Sequence, residues 1–389
     1  MKIKIFIIML FFFFFSGCYN YHELDQLAIT SAIGVDKGED YKYKVTVQVL
    51  NTKKSAKEAA SSELPDFIIY DAEADTIQEA LRKIILESSR RIYANHIQIM
   101  VIGDEVARDG IYDILDLFFR NSESRKQFQV IVAKDNNAND ILSVLTPGET
   151  LSAQNINDTI KIDNRYFGVN EIITFEQMVS DYMSSTKEIV LPTVSIVGNI
   201  DKKKRKKNIE KTEAKTKLFN NSMAIFKDDK LIDYLSIDDS ILLNFIRGKI
   251  NNTIITCKCD EDFVVAEAFN TKESLNVDDN LNVKIQIKAN LNLNEVNCDI
   301  DLEDSKEIEK LELDLESTLK NDLDNFLVNT IDEYNTDIFG IRDNLYKNYP
   351  KFYKEIKNDW YNEYFNKLNF DIDVDFKILE KGNALRVIK

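Results

Sequence analysis

Few residues of this 389-residue sequence have side chains suited to nucleophilic or metal chemistry. It contains four cysteines and two histidines, His22 and His96. It has neither the Gly-x-Ser-x-Gly turn of a serine hydrolase nor a glycine-rich loop that could bind phosphate. Its 66 acidic residues could include a carboxylate pair for glycoside cleavage, but no pattern singles one pair out. We therefore expect no enzymatic activity and no cofactor.

Cys18 is the exception, because its surroundings indicate lipid attachment. Two lysines in the first four residues precede an unbroken apolar run, Ile5–Phe15, which is followed by a serine, a glycine and Cys18. This is the order of a secretory signal peptide, and a helix of that length would rise only about 16 Å, too short to span a bilayer. The last four residues resemble a bacterial lipobox, in which the cysteine thiol takes a diacylglycerol before cleavage. We expect residues 1–17 to be removed and Cys18 to anchor the chain; the alternative is a soluble secreted protein with an incidental thiol.

Three cysteines remain in the mature chain: Cys257, Cys259 and Cys298. An odd number cannot all pair internally. A Cys-x-Cys pair with one distant cysteine lacks the spacing of a zinc site and the histidines that commonly complete it. We therefore interpret all three as small buried apolar residues and predict no metal site.

The charge of the chain excludes nucleic acid as a partner. The formal net charge is −16, whereas nucleic-acid binding depends on a basic face that neutralises phosphates. Residues 201–217 are a local exception, with nine lysines or arginines against three acids. Such a run could contact phospholipid headgroups, but without an apolar face it is more typical of a solvated loop between domains. We therefore predict two domains, residues 18–200 (divisible into two subdomains) and 218–389, joined by this basic linker.

Alternating and helical patterns follow one another in the first half of the chain. Alternation of apolar and polar residues predicts an antiparallel hairpin over residues 28–50, with one face solvated and the other buried. Thr76 begins a capping box and hence a helix. The other predicted elements are strands over 97–101, 128–133 and 191–197 and a helix over 105–120. Pro192 suits a sheet edge or a strand start.

The second half has the same mixed character. Its predicted elements are a hairpin over 223–235, alternating strands including 282–293, an amphipathic helix of about thirty residues through 308–331, a helix over 349–368 and a last strand over 370–378. Asp371, Asp373 and Asp375 give the last strand an acidic face, which we assign to solvent because the turn glycine and bidentate glutamate of a calcium loop are lacking. Together the patterns predict an α+β, multi-domain protein whose domains are largely antiparallel or mixed sheets with flanking helices.

Arg90, Arg91 and His96 form a further candidate site. They lie where the helix that begins at Thr76 gives way to the next strand. Paired arginines at a helix end commonly cap carbonyl groups or pair with an acidic neighbour, but the same side chains could contact a partner protein. Both interpretations stay open at this point.

Nine short segments lie in order along nearly the whole mature chain: Glu23–Leu27, Ile33–Asp36, Tyr43–Val49, Ser89–Tyr93 with His96, Gly110–Asp116, Ala224–Leu231, Asp337–Gly340, Tyr349–Lys351 and Asp359–Trp360. Together with the lipobox, they resemble the Ger(x)C lipoproteins, the C subunits of spore-germination nutrient receptors. The sequence departs from that pattern at Tyr19 and Phe352, where tryptophan is usual.

This resemblance implies an α+β fold and a non-catalytic subunit on the outer face of the inner spore membrane, held there by the diacylglycerol on Cys18. It also implies assembly with two integral membrane partners, the A and B subunits of the receptor. A different class of protein would share the anchor and the size: a solute-binding lipoprotein of a membrane transporter. Such proteins commonly have two repeated parallel α/β lobes around a ligand cleft, and the predicted hairpins argue against that architecture.

Overall fold

Two β-sheets organise the computed structural model of the chain, which describes residues 27–51, 66–121, 125–146, 151–198, 214–259 and 261–382. Cys18, His22 and most of the predicted linker over 201–217 lie outside the described residues. Within the described ranges, the larger sheet has ten strands and the smaller has four. Helices flank both sheets, so the predicted α+β class is confirmed.

The larger sheet is mixed. Its strands are β1 Leu27–Lys37, β2 Tyr43–Leu50, β3 Phe67–Ala74, β4 Arg91–Tyr93, β5 Ile99–Gly103, β6 Gln129–Ala133, β7 Val190–Gly198, β8 Thr216–Phe219, β9 Met223–Lys227 and β10 Lys230–Tyr234. Their order is β10-β9-β7-β6-β5-β1-β2-β3, with β4 beside β1 and β8 beside β7. The central strands β1, β5, β6 and β7 are parallel, and antiparallel strands flank them on both sides.

Seven helices accompany these strands in the described part of the first half: α1 Ile77–Lys83, α2 Ile85–Ser88, α3 Asp104–Asp109, α4 Tyr112–Arg120, α5 Ala138–Leu142, α6 Ser152–Tyr166 and α7 Phe175–Met183. The predicted capping box is present, because the Thr76 hydroxyl accepts a hydrogen bond from the Glu79 N–H at 3.2 Å. The single helix predicted over 105–120 is divided into α3 and α4. Gly110 separates them with a φ of +129°, a conformation that L side chains rarely adopt.

The predicted hairpin over 28–50 is confirmed as β1 and β2, but the prediction that one of its faces is solvated is wrong. Thr46 and Gln48 are both fully buried. Gln48 Nε2 donates to the Leu142 carbonyl oxygen at 3.0 Å and to Ser152 Oγ at 2.7 Å. Apolar cores lie on both sides of the sheet here. Polar residues on this strand therefore find partners in distant elements instead of water.

Strand β7 lies inside the larger sheet, so of the two positions that its proline suggested, the strand start agrees with the structure and the sheet edge does not. It pairs with β6 on one side and with β8 and β9 on the other. Pro192 is the third residue of the strand, near its start. The neighbours β8, β9 and β10 come from residues 216–234, so the larger sheet continues across the predicted division near residue 217.

The smaller sheet has the order β11-β12-β13-β14. Its strands are β11 Asn252–Cys259, β12 Asp262–Val277, β13 Asn282–Val296 and β14 Asn369–Glu380, and the accompanying helices are α8 Ile237–Ile246, α9 Ser305–Tyr334, α10 Ile341–Asn348 and α11 Pro350–Ile356. The long helix α9 is confirmed, and Leu315 and Leu323 on its apolar face are completely buried. The two sheets differ in size and strand order, so they are not a repeated pair of lobes.

The helix predicted over 349–368 is wrong in its extent. The α-helix ends at Ile356 and gives way to a π-helical turn, Trp360–Tyr364, and a 3-10 turn, Phe365–Lys367. Trp360 and Phe365 are buried to 99% or more, and their rings lie 5.8 Å apart. These two buried rings lie on turns that are not α-helical, so tertiary packing overrides the local pattern.

Cys259 and Cys298 form a disulfide, which corrects the prediction that all three mature-chain cysteines are only packing residues. Their Cα atoms are 6.2 Å apart, within the ordinary range for such a link. The bond ties the end of β11 to the segment between β13 and α9. Cys257 is the free cysteine of the described residues and is buried, as predicted for a packing residue.

Candidate partner interface

A groove lies beside the start of β1, close to the amino-terminal end of the described chain. Leu27, the first residue of β1, pairs with Arg91 of β4 in a parallel register. Helices α1, α2 and α4 contribute the facing walls. The depression has a volume of about 420 Å³. We call it the Arg91 groove.

The Arg91 groove combines an apolar floor with a basic rim. The floor includes Leu81, Ile85, Ile92 and Leu117. Three arginines, Arg82, Arg91 and Arg120, line it, and no aspartate or glutamate does. Such a surface can bind an apolar side chain and an acidic group together, but it holds no nucleophile or general base that could perform catalysis.

Of the three residues singled out from the sequence, the structure brings only Arg91 to the groove. Arg90 lies in the bend after α2, where Ser88 Oγ donates to its carbonyl oxygen at 2.7 Å. His96 is exposed at the end of a short 3-10 turn, with its ring 5.7 Å from that of Tyr93. Both arginines also interact within the chain, so neither the structural interpretation nor the partner interpretation is excluded.

A second polar cluster, which the sequence reasoning missed, joins the two halves of the chain. Glu188, just before β7, accepts hydrogen bonds from Tyr361 Oη at 2.6 Å and from the Asp228 N–H at 3.1 Å. It also pairs with Arg342 of α10. The side chains of Glu188 and Arg342 are only 6% and 11% exposed, so this pair is largely removed from water. We call these residues the Glu188 junction.

Asp337 holds the arginine of the Glu188 junction in place. Its carboxylate accepts hydrogen bonds from the backbone N–H groups of Gly340, Ile341 and Arg342, at 3.0, 3.1 and 2.7 Å, at the start of α10. Burial raises the pKa of Asp337, and neither the Arg342 charge nor the backbone donors fully offset that effect. The pairing of Arg342 with Glu188 has no signal in the sequence near either residue.

A wider cleft of about 690 Å³ lies beside the Glu188 junction. Several of its charged side chains pair with each other. Glu171 contacts Arg247 at 3.1 Å and Lys249 at 2.8 Å, and Asp343 contacts Lys347 at 2.7 Å. These pairs stabilise the contact between the elements that line the cleft.

Asp36 is a buried carboxyl at the opposite end of β1 from the groove. It accepts hydrogen bonds from the N–H groups of Ala138 and Asn139, at 2.6 and 2.9 Å, and so caps α5. Burial raises the pKa of Asp36 to about 6, against the opposing effect of those two donors. A β-carbon on Gly103 would collide with this carboxylate, which explains a glycine there.

The described ranges contain neither a metal-binding cluster nor a membrane-spanning helix. Across them, no three His, Cys, Asp or Glu side chains are placed to hold a metal ion. No helix in the same ranges is long and apolar enough to cross a membrane. The Arg91 groove contains one of the three sequence-based candidates, Arg91.

Two family models match the chain in order. The model described as "Spore germination protein N-terminal domain" matches residues 20–196. The model described as "Spore germination B3/ GerAC like, C-terminal" matches residues 221–382. The interval between them, residues 197–220, contains the whole of the basic linker predicted over 201–217.

Individual proteins show the same similarity over nearly the full length. The chain is 26% identical over 385 residues to spore germination protein KC of Bacillus subtilis, covering 96% of this chain and 94% of that protein. It is 23% identical over 377 residues to spore germination protein B3 of the same organism, covering 95% of each. The crystal structure of the GerBC protein shares the fold, with a TM-score of 0.53 at 19% identity over 92% of this chain and 100% of that chain.

Proposed function

Because the chain belongs to the family of spore germination proteins that these two models describe, we propose that it is the C subunit of a nutrient germinant receptor. It acts without catalysis, by assembling with the integral membrane A and B subunits of that receptor. The observation that carries the proposal is the ordered match of both halves of the chain to the two models. The Arg91 groove, which offers a binding surface without a reactive group, supports a role in assembly.

The proposed location is the outer face of the inner spore membrane. A diacylglycerol on Cys18 holds the protein there, and two acyl chains retain a protein at a bilayer far more durably than one. The lipobox sequence before Cys18 supports this step. The net charge of −16 supports it as well, since an acidic protein gains little attraction from an anionic lipid surface and needs a covalent anchor.

The proposed contact with the integral subunits lies in the amino-terminal half, at the surface around Arg90, Arg91 and His96. This surface surrounds the start of β1, where the described chain begins. It is therefore the described surface nearest in sequence to the anchor. The Arg91 groove lies within it.

A deletion strain tests the proposed function. Spores that lack this chain should form normally and resist heat, yet fail to respond to the nutrients read by one receptor. They should still germinate with stimuli that bypass nutrient receptors. Affinity purification of the tagged chain from detergent-solubilised spore membranes should recover two integral membrane subunits. Loss of solute uptake in growing cells, with nutrient germination unchanged, would contradict the proposal and favour a transporter lipoprotein.

A further inference from the structure

We propose that the cleft beside the Glu188 junction binds a small organic molecule that carries a primary ammonium group, and that the Glu273 carboxylate is the counter-ion of that group. We call this cleft of about 690 Å³ the junction cleft. The inference goes beyond the proposed function, because assembly with membrane subunits requires no small-molecule site. The shape of the junction cleft, its unpaired carboxylate and its apolar wall support it.

The junction cleft lies where the two halves of the chain meet. Ile172 and helix α7 line it from the first half. Residues 246–249, strand β12 and helix α10 line it from the second half. Clefts of about 300–1,000 Å³ are typical of small-molecule sites, and such sites commonly lie between domains. The junction cleft therefore has the size and the position of a site for a small molecule.

Glu273 is the acidic side chain of the junction cleft that has no cation as partner. Six acidic and four basic side chains line the cleft, and Arg342 behind it is a fifth cation. The five paired acids are Glu171, Asp181, Glu188, Asp337 and Asp343. Within the described part of the chain, no lysine or arginine forms an ion pair with Glu273. Its charge is thus the one that the cleft leaves without compensation.

The Glu273 carboxylate also lacks hydrogen-bond donors. Its Oε1 atom is buried and has no hydrogen-bond partner. Burial raises the pKa of Glu273, and the groups that oppose this effect are neutral ones, the Glu273 N–H and the Thr271 hydroxyl, which also donates to the Ile250 carbonyl oxygen. A desolvated carboxylate without a partner reduces the stability of the fold. A ligand ammonium supplies both the opposite charge and N–H donors, whereas a quaternary ammonium has no N–H to donate.

Apolar side chains beside Glu273 specify the body of the ligand. Leu275 follows Glu273 by two residues on β12, so both side chains project from the same face of the strand, and both line the cleft. Ile172 lines the cleft as well and is 39% exposed. A β-carbon on Gly248 would lie 3.6 Å from Glu273 Oε2, so the glycine leaves space beside the carboxylate. The arrangement fits an amine with a compact apolar body.

Calorimetric titration of the purified full-length chain tests the inference. The probe is phenethylamine, and the reference is its neutral analogue phenethyl alcohol. We expect phenethylamine to bind one to one with a Kd below about 1 mM, and at least about tenfold more tightly than the alcohol. Glu273→Gln should weaken phenethylamine binding at least about tenfold. The control Glu267→Gln changes a glutamate of the same strand outside the cleft and should bind as the natural chain does.

Three results would overturn the inference: no binding of phenethylamine to the natural chain, equal affinities for the amine and the alcohol, or equal phenethylamine affinities of Glu273→Gln and the natural chain. Denaturant unfolding at pH 7 gives a readout without ligand and confirms that the variant is folded. Glu273→Gln should be at least as stable as the natural chain, because it removes a buried charge that has no partner. A clear loss of stability would show that the chain itself compensates this carboxylate, which would also contradict the inference.

Discussion

Arg342 and Glu188 lie 154 positions apart in the sequence, yet they form a buried ion pair. Arg342 belongs to α10, and Glu188 lies just before β7. The two halves of the chain are therefore joined by charge as well as by a shared sheet. Removing one member of a buried pair leaves the other charge without compensation.

The substitution Arg342→Met should reduce the free energy of unfolding by about 3 kcal/mol, because it leaves Glu188 buried without its cation. The control Lys347→Met removes a 65% exposed cation from its pair with Asp343 and should cost less than about 1 kcal/mol. Denaturant unfolding measures both. If Arg342→Met costs no more than Lys347→Met, the Glu188 junction does not stabilise the fold. The double variant Glu188→Gln/Arg342→Met should cost less than the two single costs added together.

The buried carboxyl of Asp36 predicts a pH dependence of stability. Its pKa is raised to about 6 in the folded protein, from an ordinary value of 3.8. The folded state therefore binds more protons than the unfolded state between these values, so the contribution of Asp36 to stability falls as pH rises through that window. Between pH 5 and pH 7, the loss should be about 1 kcal/mol.

Asp36→Asn should abolish this part of the pH dependence, because the amide does not titrate. The exposed Asp75→Asn is the matched control and should keep the slope of the natural chain. Denaturant unfolding at pH 5 and pH 7 gives the required double difference. Equal slopes for the natural chain and Asp36→Asn would refute the assignment.

Loss of the disulfide should cost more stability than loss of cysteine packing alone. Cys259→Ser should lower the free energy of unfolding by about 2–4 kcal/mol, since the Cys259–Cys298 bond links residues 39 apart and restricts the unfolded chain. Cys257→Ala, at the buried free thiol, should cost about 1–2 kcal/mol through lost packing alone. Alkylation of the denatured, lipidated chain should modify one cysteine before reduction and three after it. Three before reduction would rule out the bond.

Cys18→Ala tests the anchor. The variant should keep its signal peptide, take up no labelled lipid and be released from membranes more readily than the natural chain, because the thiol that accepts the diacylglycerol is missing. Cys257→Ala leaves Cys18 intact and serves as the control. Gel mobility, metabolic lipid labelling and membrane fractionation provide the readout. A Cys18→Ala chain of unchanged size with unchanged labelling would disprove lipidation at this residue.

Local patterns predicted the elements whose signal lies within their own segment of sequence. The helix α9 was predictable because apolar residues recur at helical spacing from Ile308 to Ile331. The hairpin β9–β10 was predictable from its alternation and its turn, where Asp228 adopts a positive φ of 57°. Arg91 was singled out because two arginines follow a helix, but nothing in its own segment indicated the groove around it.

The wrong or missing predictions share a physical cause, because the environment of each residue is set by a partner distant in the sequence. Gln48 was assigned to solvent because it is polar, whereas Leu142 and Ser152 satisfy its amide. Cys259 was treated as packing because its partner lies 39 residues away. Glu188 carried no local signal at all. In each case a distant residue takes the place that water would have as the partner of the side chain. A single sequence does not reveal such tertiary contacts.

The strand order of the larger sheet also determines how long the outer edge of β7 stays unpaired during folding. β7 ends at Gly198, whereas β8 and β9, which pair with its outer side, begin at Thr216 and Met223. Until these later residues are available to the folding chain, the outer side of β7 is an open strand edge that can pair with other chains. A fragment cut at the predicted linker would keep that edge permanently. A fragment of the first half should therefore extend at least to residue 234, so that it includes β8, β9 and β10.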